Sequence, residues 1–442
     1  MAYKTIVVYL LLIFITFGVK GQMDSLEIEA SEQEKRSDSL LINLTFTIDS
    51  LIANAISKQA FPGCVVFASR KGQPFYKRSY GHHTYDSLRE VRLTDLYDLA
   101  SLSKTTGAML ALMKLYEWDL LDLDESLSEY VSGFNWNKRG KARMRDILTH
   151  QAGFQGWIKY YEKINKGSKG YRNKTIRSRS SNEYNYLVAD HMFLHKDFYR
   201  KIKKYIKRSH FNPDQGYKYS DLFFYLVPEI VEKQSGMEYQ DFLKYHFYDS
   251  LEAGSLCFNP DEHFDLGRVV PTEIDTFFRM EKIHGKVHDE GAILMRGISG
   301  HAGLFSNVDD LVKVWQMLLN GGTYAGNKYL EPATIELFTS YQFPQNENRR
   351  GLGFDKPLLE YDPVMSSVSA LASVYSYGHT GFTGPIVWAD PMNDFLFVFL
   401  TNRVYPSREN KAIYDLNLRP ELHQIFYQYL QDSHLNLKKS KQ

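Results

Sequence analysis

The chain has 442 residues, of which 43% are apolar, 14% aromatic and 24% charged, the make-up of a folded globular protein with one large domain or two ordinary ones. Its net charge of +1 gives no general electrostatic case for a nucleic-acid partner. Only two cysteines are present, with no cysteine pair at metal-ligand spacing and no His-Glu-x-x-His helix, so metal chemistry is not expected.

The chain opens with Lys4 and an apolar run from Ile6 to Phe17, followed by Gly18 and Gly21. A charged start, an apolar core of about a dozen residues and small residues beyond it predict a secretory signal over 1–22. The run is short for a membrane span, although an uncleaved anchor is the alternative. Export to the periplasm is expected, with full secretion as the other outcome. Residues 23–40 are polar and charged and read as a flexible lead-in.

An amphipathic helix is expected around 45–58, then a β-hairpin in "FPGCVVFASRKGQPFYKRSYG" with its turn at Lys71-Gly72. Cys64 lies in that strand pattern and Cys257 follows "LEAGSL"; both read as small buried hydrophobes, and spacing alone leaves a bridge between them open. Residues 104–118 predict a helix, as do "LDLDESLSEYV" and 143–149. Between Gln155 and His210, fifteen Lys or Arg stand against four Asp or Glu. That basic insertion reads as a solvated surface, or as a weak contact for an anionic polymer or surface. In "GHAGLFSNVDDLVKVWQMLLNGG", Ser306 with Asp309 and Asp310 reads as a helix start. Sheet signals return in "GPIVWAD" and "DFLFVFLTN", and 411–431 reads as a closing helix. The order predicts an α/β protein of the α+β type: a central antiparallel sheet from about 41–95 and 360–430, flanked by helices, with a mostly helical part inserted at about 100–350.

The stretch "LASLSKTTGAMLALMKL" places Ser101 and Lys104 three residues apart, on one face of a helix. A serine hydroxyl needs a nearby base, and a lysine serves as one when its pKa is lowered. The same spacing also fits a helix-capping serine beside a surface lysine.

The wider context "YDLASLSKTTGAMLALMKLYEWDLLDLDESLSEYV" resembles the first block of the serine β-lactamase and penicillin-binding-protein superfamily, most closely its class C-like branch. Ala100, Ser101, Leu102, Ser103 and Lys104 match that block position by position. "RDILTHQAGF" resembles a scaffold segment of the family, with His150 in a structural role. "YKYSDLFFYLVPEIVEKQSG" resembles the second block, aligning Tyr219, Ser220 and Asp221, with Tyr217 as the fallback tyrosine. Asp221 departs from the usual amide; an ionised carboxylate only accepts hydrogen bonds and is suited to hold Lys104 charged. "SYGHTGFTG" resembles the third block in its histidine form, with His379, Thr380 and Gly381. "GKVHDEGAILMRGISGHAGLFSNVDDLVKVWQMLLNGG" is similar to exported peptidases of the penicillin-binding-protein 4B type; Gly291 stands where asparagine is frequent, at the expected border of the cleft.

The resemblance covers about residues 45–430 and implies one catalytic domain over 41–435 that performs acyl transfer. It implies Ser101 as nucleophile, Lys104 and Tyr219 as proton-transfer groups, and backbone N–H groups of Ser101 and Phe382 as oxyanion donors. His379 and Thr380 would orient the substrate, and Gly381 would let backbone approach it. The resemblance implies no organic cofactor. The implied partner is a small-molecule or peptide acyl substrate derived from the cell wall, cleaved by a DD-carboxypeptidase-like amide hydrolase. An esterase or β-lactamase of the same fold is the enzymatic alternative. A catalytically silent cell-wall-binding protein is the alternative of another class, motivated by Asp221 and the basic insertion.

Overall fold

The computed structural model describes residues 38–167, 170–172 and 174–439. The expected signal over 1–22 and most of the lead-in lie outside the described residues. Residues 38–40 already belong to a helix, Asp38–Ser57, which starts ahead of the expected position 45. The chain divides into two units: the described residues up to Asn54 with those from Glu421 onward, and Ala55–Pro420. The first unit carries most of helices Asp38–Ser57 and Leu418–Lys439. The second carries every strand and all the candidate site residues.

The central sheet has five antiparallel strands in the order β11-β12-β13-β1-β2. β1 (Gly63–Arg70) and β2 (Gln73–Gly81) form the expected hairpin, and both turn residues have positive φ, Lys71 at 51° and Gly72 at 73°. Two successive left-handed residues match the twist of a tight hairpin, which is why a glycine stands there. β11 (Tyr377–Thr380), β12 (Ile386–Asp390) and β13 (Phe395–Thr401) supply the other three strands. Every residue of β12 and β13 is buried, so their sequences read as continuous apolar runs rather than as alternation. Helix Val308–Leu319 packs on these two strands. Its N-cap is Asn307, whose side chain accepts the Asp310 N–H at 2.9 Å. Ser306, the expected start, instead donates its hydroxyl to the Asn307 carbonyl.

A second sheet, in the order β3-β8-β7, joins β3 (Tyr97–Asp98), β7 (Cys257–Phe258) and β8 (Leu304–Ser306). It carries the chain straight into Ser101. A small hairpin, β9 (Thr323–Tyr324) with β10 (Asn327–Lys328), follows the long helix. Both cysteines are free thiols; Cys64 is buried and Cys257 only partly so. The basic insertion is less helical than expected. It holds a three-stranded sheet of β4 (Ile176–Arg177), β5 (Tyr184–Ala189) and β6 (Met192–His195), followed by helix Phe198–Arg208. Burial alternates along the start of β5, the period of a strand with one covered face.

Candidate active site

β3 ends at Asp98, and the backbone then turns sharply. Ala100 has φ +45°, a left-handed conformation that costs a residue with a Cβ about 1–2 kcal/mol. Asp98 holds this turn: one carboxylate oxygen accepts the Ala100 N–H at 2.7 Å and the other accepts the His288 N–H at 2.7 Å. Ser101 follows at the mouth of a cavity of about 400 Å³, walled by Trp157, Tyr161, Tyr225, Asp289, Glu290 and Phe382. The helix then opens with a π-helical turn over Lys104–Ala108. The Ser103 side chain makes no capping hydrogen bond to that turn, and the Ser101 hydroxyl is engaged by Lys104 and Tyr219 rather than by the helix start. The Ser103 hydroxyl accepts the Leu304 N–H at 3.1 Å and ties the helix start to β8.

The Ser101 Oγ meets two groups. Lys104 Nζ lies at 3.0 Å and the Tyr219 hydroxyl at 3.2 Å. Lys104 is fully buried and has three acceptors for its three N–H bonds: Ser101 Oγ, an Asp221 carboxylate oxygen at 2.7 Å and the His301 carbonyl at 3.3 Å. Tyr219 and Asp221 come from a loop fixed by the scaffold. The Asp221 N–H donates to the Gly156 carbonyl at 2.8 Å, and the Ser220 N–H to His150 Nδ1 at 3.2 Å. Tyr217, the fallback, lies elsewhere: its hydroxyl meets Arg350 Nε at 3.2 Å.

Electrostatics decide the resting proton positions. Burial pushes the Lys104 ammonium toward release, but the Asp221 carboxylate and Tyr219 more than offset it, and the net shift is upward. Burial also raises the Tyr219 phenol, against the pull of Lys104 and Arg350. Both groups therefore carry protons at rest, and both donate to Ser101. Burial and the charges of Arg350 and Lys104 lower both His150 and His379, the latter to about 3. His379 Nδ1 contacts the Thr380 carbonyl at 2.7 Å and so donates, leaving Nε2 as a bare acceptor. The rings of His150 and His379 lie 4.5 and 6.0 Å from that of Tyr219.

The third segment runs along the edge strand β11. Thr380 ends it, with no side-chain bond to Ser101 among the described residues. A Cβ on Gly381 would stand 2.7 Å from the Leu99 carbonyl and 2.7 Å from Pro385, so only glycine permits this approach to the Ser101 turn. Gly381→Ala is expected to lower unfolding free energy by about 1–3 kcal/mol and to depress turnover; a denaturant titration and an ester assay that both match the parent protein would refute this. Phe382 lines the cavity, and among the described residues neither its backbone N–H nor that of Ser101 donates a hydrogen bond.

Two residues near the cavity, Glu273 and Arg408, lie outside every motif segment and meet residues of the "GKVHDEG" segment there. Arg408 bridges Glu273 and Glu290 at the wall, and His288 meets Glu273 at 2.9 Å. Burial works to raise the Glu273 carboxyl, but His288 and Arg408 hold it down to about 2. His301 pairs with Asp289 at 2.8 Å while its carbonyl serves Lys104. A Cβ on Gly291 would fall 1.8 Å from the Tyr225 hydroxyl, so that oxygen fills the space an asparagine would need. Among the described residues, no group of three or more His, Cys, Asp or Glu is placed to hold a metal.

A family model described as Beta-lactamase matches residues 48–419. The Escherichia coli K12 protein named "Putative D-alanyl-D-alanine carboxypeptidase" is 29% identical over 371 residues, covering 78% of this chain and 79% of its own. The "N-acetylmuramyl-L-alanine amidase" of Bacillus subtilis strain 168 is 28% identical over 401 residues, covering 83% of this chain and 84% of its own. The solved "Beta-Lactamase/D-Alanine Carboxypeptidase from Pseudomonas syringae" superposes with a TM-score of 0.59 at 17% identity, over 85% of this chain and 98% of that one, and shares the fold.

Proposed function

The chain belongs to the Beta-lactamase family, and on that premise we propose that it is an exported serine hydrolase that cleaves amide bonds in cell-wall peptides in the manner of a DD-carboxypeptidase. The observation that carries this reading is the convergence of Lys104 Nζ and the Tyr219 hydroxyl on Ser101 Oγ, at 3.0 and 3.2 Å. The relatives' names denote a carboxypeptidase and an amidase, which supports an amide as the scissile bond.

Lys104 or Tyr219 first gives up its resting proton to solvent; Ser101 Oγ then attacks the carbonyl carbon, and the Oγ proton passes to the group so freed. The developing oxyanion accepts from the backbone N–H groups of Ser101 and Phe382, which are unengaged in the resting protein. Collapse expels the leaving amine, which takes the relayed proton. Water then attacks the ester on Ser101, and Oγ recovers its proton as the acid leaves. His379 is buried beside Tyr219, with its ring 6.0 Å away, and orients the substrate indirectly, by backing Tyr219 and holding the edge strand β11.

The test is substrate profiling of the parent protein and Ser101→Ala with D-Ala-D-Ala peptides, nitrocefin and p-nitrophenyl esters. The expected result is release of D-Ala that falls by at least 10³-fold and up to about 10⁶-fold in the variant, the latter being the cost of removing the nucleophile of a serine hydrolase. Intact mass after fluorophosphonate treatment is expected to show one adduct, absent from Ser101→Ala. Esters alone as substrates would replace the amide reading by an esterase. No turnover and no adduct would leave a binding protein.

A further inference from the structure

Helix Phe198–Arg208 turns Phe198, Ile202 and Ile206 inward, and Arg200, Lys204 and Arg208 stand exposed on its outer face. Its last turn is fastened to a distant part of the chain. The Lys207 carbonyl accepts from Asn137 Nδ2 at 3.0 Å and from Arg139 Nη1 at 3.0 Å. The Lys207 ammonium lies over the Phe134 ring at 5.1 Å and against Gly133. These contacts set the exposed Lys138, Lys141 and Arg143 beside the basic helix, although some sixty residues of sequence intervene. Lys138, Lys141 and Arg143 also line a surface groove of about 730 Å³, floored by Phe211. Asp146 and Asp214 share the groove, and Asp146 is taken up by Arg143 at 2.9 Å. Two residues before Lys138 in the chain stands Trp136, 102% exposed and flanked in sequence by Asn135 and Asn137.

The chain as a whole is close to neutral at +1, so this is a local concentration of positive charge rather than a basic protein. Such a face attracts polyanions over about one Debye length, roughly 8–10 Å at ordinary ionic strength. A bilayer surface would need several neighbouring apolar side chains to sink into it. Here the apolar stripe of the helix points inward and Trp136 has asparagines on both sides, so the indole is a single flat platform amid cations. That combination fits an extended, hydrated polymer whose rings stack on the indole and whose acidic groups meet the lysines and arginines. We propose that this face, whose groove shares no lining residue with the Ser101 cavity, docks the protein on the anionic glycan–peptide polymer of the cell wall. The identity of the polymer rests on the hydrolase reading above; the charge complementarity does not.

The experiment is cosedimentation of the full chain with purified peptidoglycan sacculi at low and high salt, with anionic phospholipid vesicles as a second arm. Two variants are compared with the parent protein: Lys138→Glu/Lys141→Glu/Lys204→Glu/Arg208→Glu, and Trp136→Ala. The expected result is salt-sensitive sedimentation of the parent with sacculi, at least tenfold weaker in the charge-reversed variant and several-fold weaker in Trp136→Ala. Ester hydrolysis by both variants stays at the parent rate, which also reports that they are folded. No sedimentation of the parent, or equal sedimentation of the charge-reversed variant, overturns the proposal. Capture on vesicles and not on sacculi overturns it in favour of a membrane. Ser101→Ala is expected to sediment like the parent while losing hydrolysis; a parent protein that sediments with sacculi but hydrolyses no substrate would count against the hydrolase reading alone.

Discussion

Asp221→Asn is expected to move the acid limb of the pH–rate profile to lower pH and to raise Ser101-dependent ester turnover at neutral pH. The reason lies in the resting proton inventory. Lys104 is wholly buried, and burial alone drives an ammonium toward the neutral amine; the Asp221 carboxylate at 2.7 Å reverses that direction. With the carboxylate in place, Lys104 spends its three N–H bonds on Asp221, Ser101 and the His301 carbonyl and has no lone pair to offer. An asparagine oxygen keeps one acceptor for Lys104 but removes the charge, so burial dominates and the neutral amine becomes available at lower pH. Stability follows with the opposite sense in the two proteins. In the parent, the Lys104 pKa is raised on folding, so its stabilisation is complete below the unfolded value of about 10.4 and is lost only as pH climbs through the folded value. In Asp221→Asn the folded value drops below the unfolded one, and stability rises with pH across the interval between them. At neutral pH the variant is expected to be about 1–3 kcal/mol less stable, the range for a buried polar group left short of a partner. Melting curves across pH and a pH–rate profile check both halves. An acid limb that stays where the parent has it would mean that Lys104 does not set it.

Much of the site is legible in the sequence where local geometry carries it. Ser101 and Lys104 meet because three residues of helix put them on one face, and the apolar "AMLALM" that follows implies burial of the lysine. Asp221 is legible as a partner for Lys104 because a carboxylate stands where an amide is usual. Tyr219 is 118 residues from Ser101, and only the resemblance of its segment to a known block joins the two. In the acid-base wall, His288 and Glu290 fall in the segment "GKVHDEG" that the sequence places at the cleft border, but their pairing with Glu273 and Arg408 is not legible, because tertiary packing brings those distant segments together. Arg350 is in the same position: it is buried with its guanidinium 5.1 Å from the Tyr219 ring centroid, yet nothing in its neighbourhood of sequence marks it. The small sheet within the basic insertion escapes a composition reading for another reason. Charge density dominates that stretch and hides the short period-2 alternation of "YNYLVA". One signal is present and easily passed over: a single acid, Asp98, inside the otherwise apolar "LYDLA", where an unpaired carboxylate would be costly to bury.

That residue carries the second large effect: Asp98→Asn is expected to lower kcat about 10²-fold, the lower end of the range for losing one oxyanion donor, with KM changed little. Asp98 is buried and bonds in three directions. Its carboxylate holds the Ala100 N–H and the His288 N–H, each at 2.7 Å, and its carbonyl accepts the Thr383 hydroxyl at 2.8 Å. Ala100 precedes Ser101 and Thr383 follows Phe382, so one residue positions both backbone N–H groups assigned to the oxyanion. The His288 ring, 5.7 Å from that of Phe382, adds a second link to the same donor. An asparagine has one acceptor oxygen where the carboxylate has two, so either Ala100 or His288 would face an amide donor. Ala100 holds a left-handed φ of +45° that it would not keep unaided. Release of the turn would rotate the Ser101 N–H away from the position it shares with Phe382. Glycine adopts positive φ without help, so Ala100→Gly is expected to recover about tenfold of the lost kcat in the Asp98→Asn background while changing the parent's kcat little. That pattern separates aim from stability: a protein that is merely less stable would lose active molecules and regain none of its kcat through a glycine at 100, when assayed well below its melting temperature. Thr383→Val removes the other tie without touching the Ser101 turn and is expected to cost a smaller factor that Ala100→Gly does not recover. Equal kcat for Asp98→Asn and the parent would leave Asp98 a structural bond and nothing more.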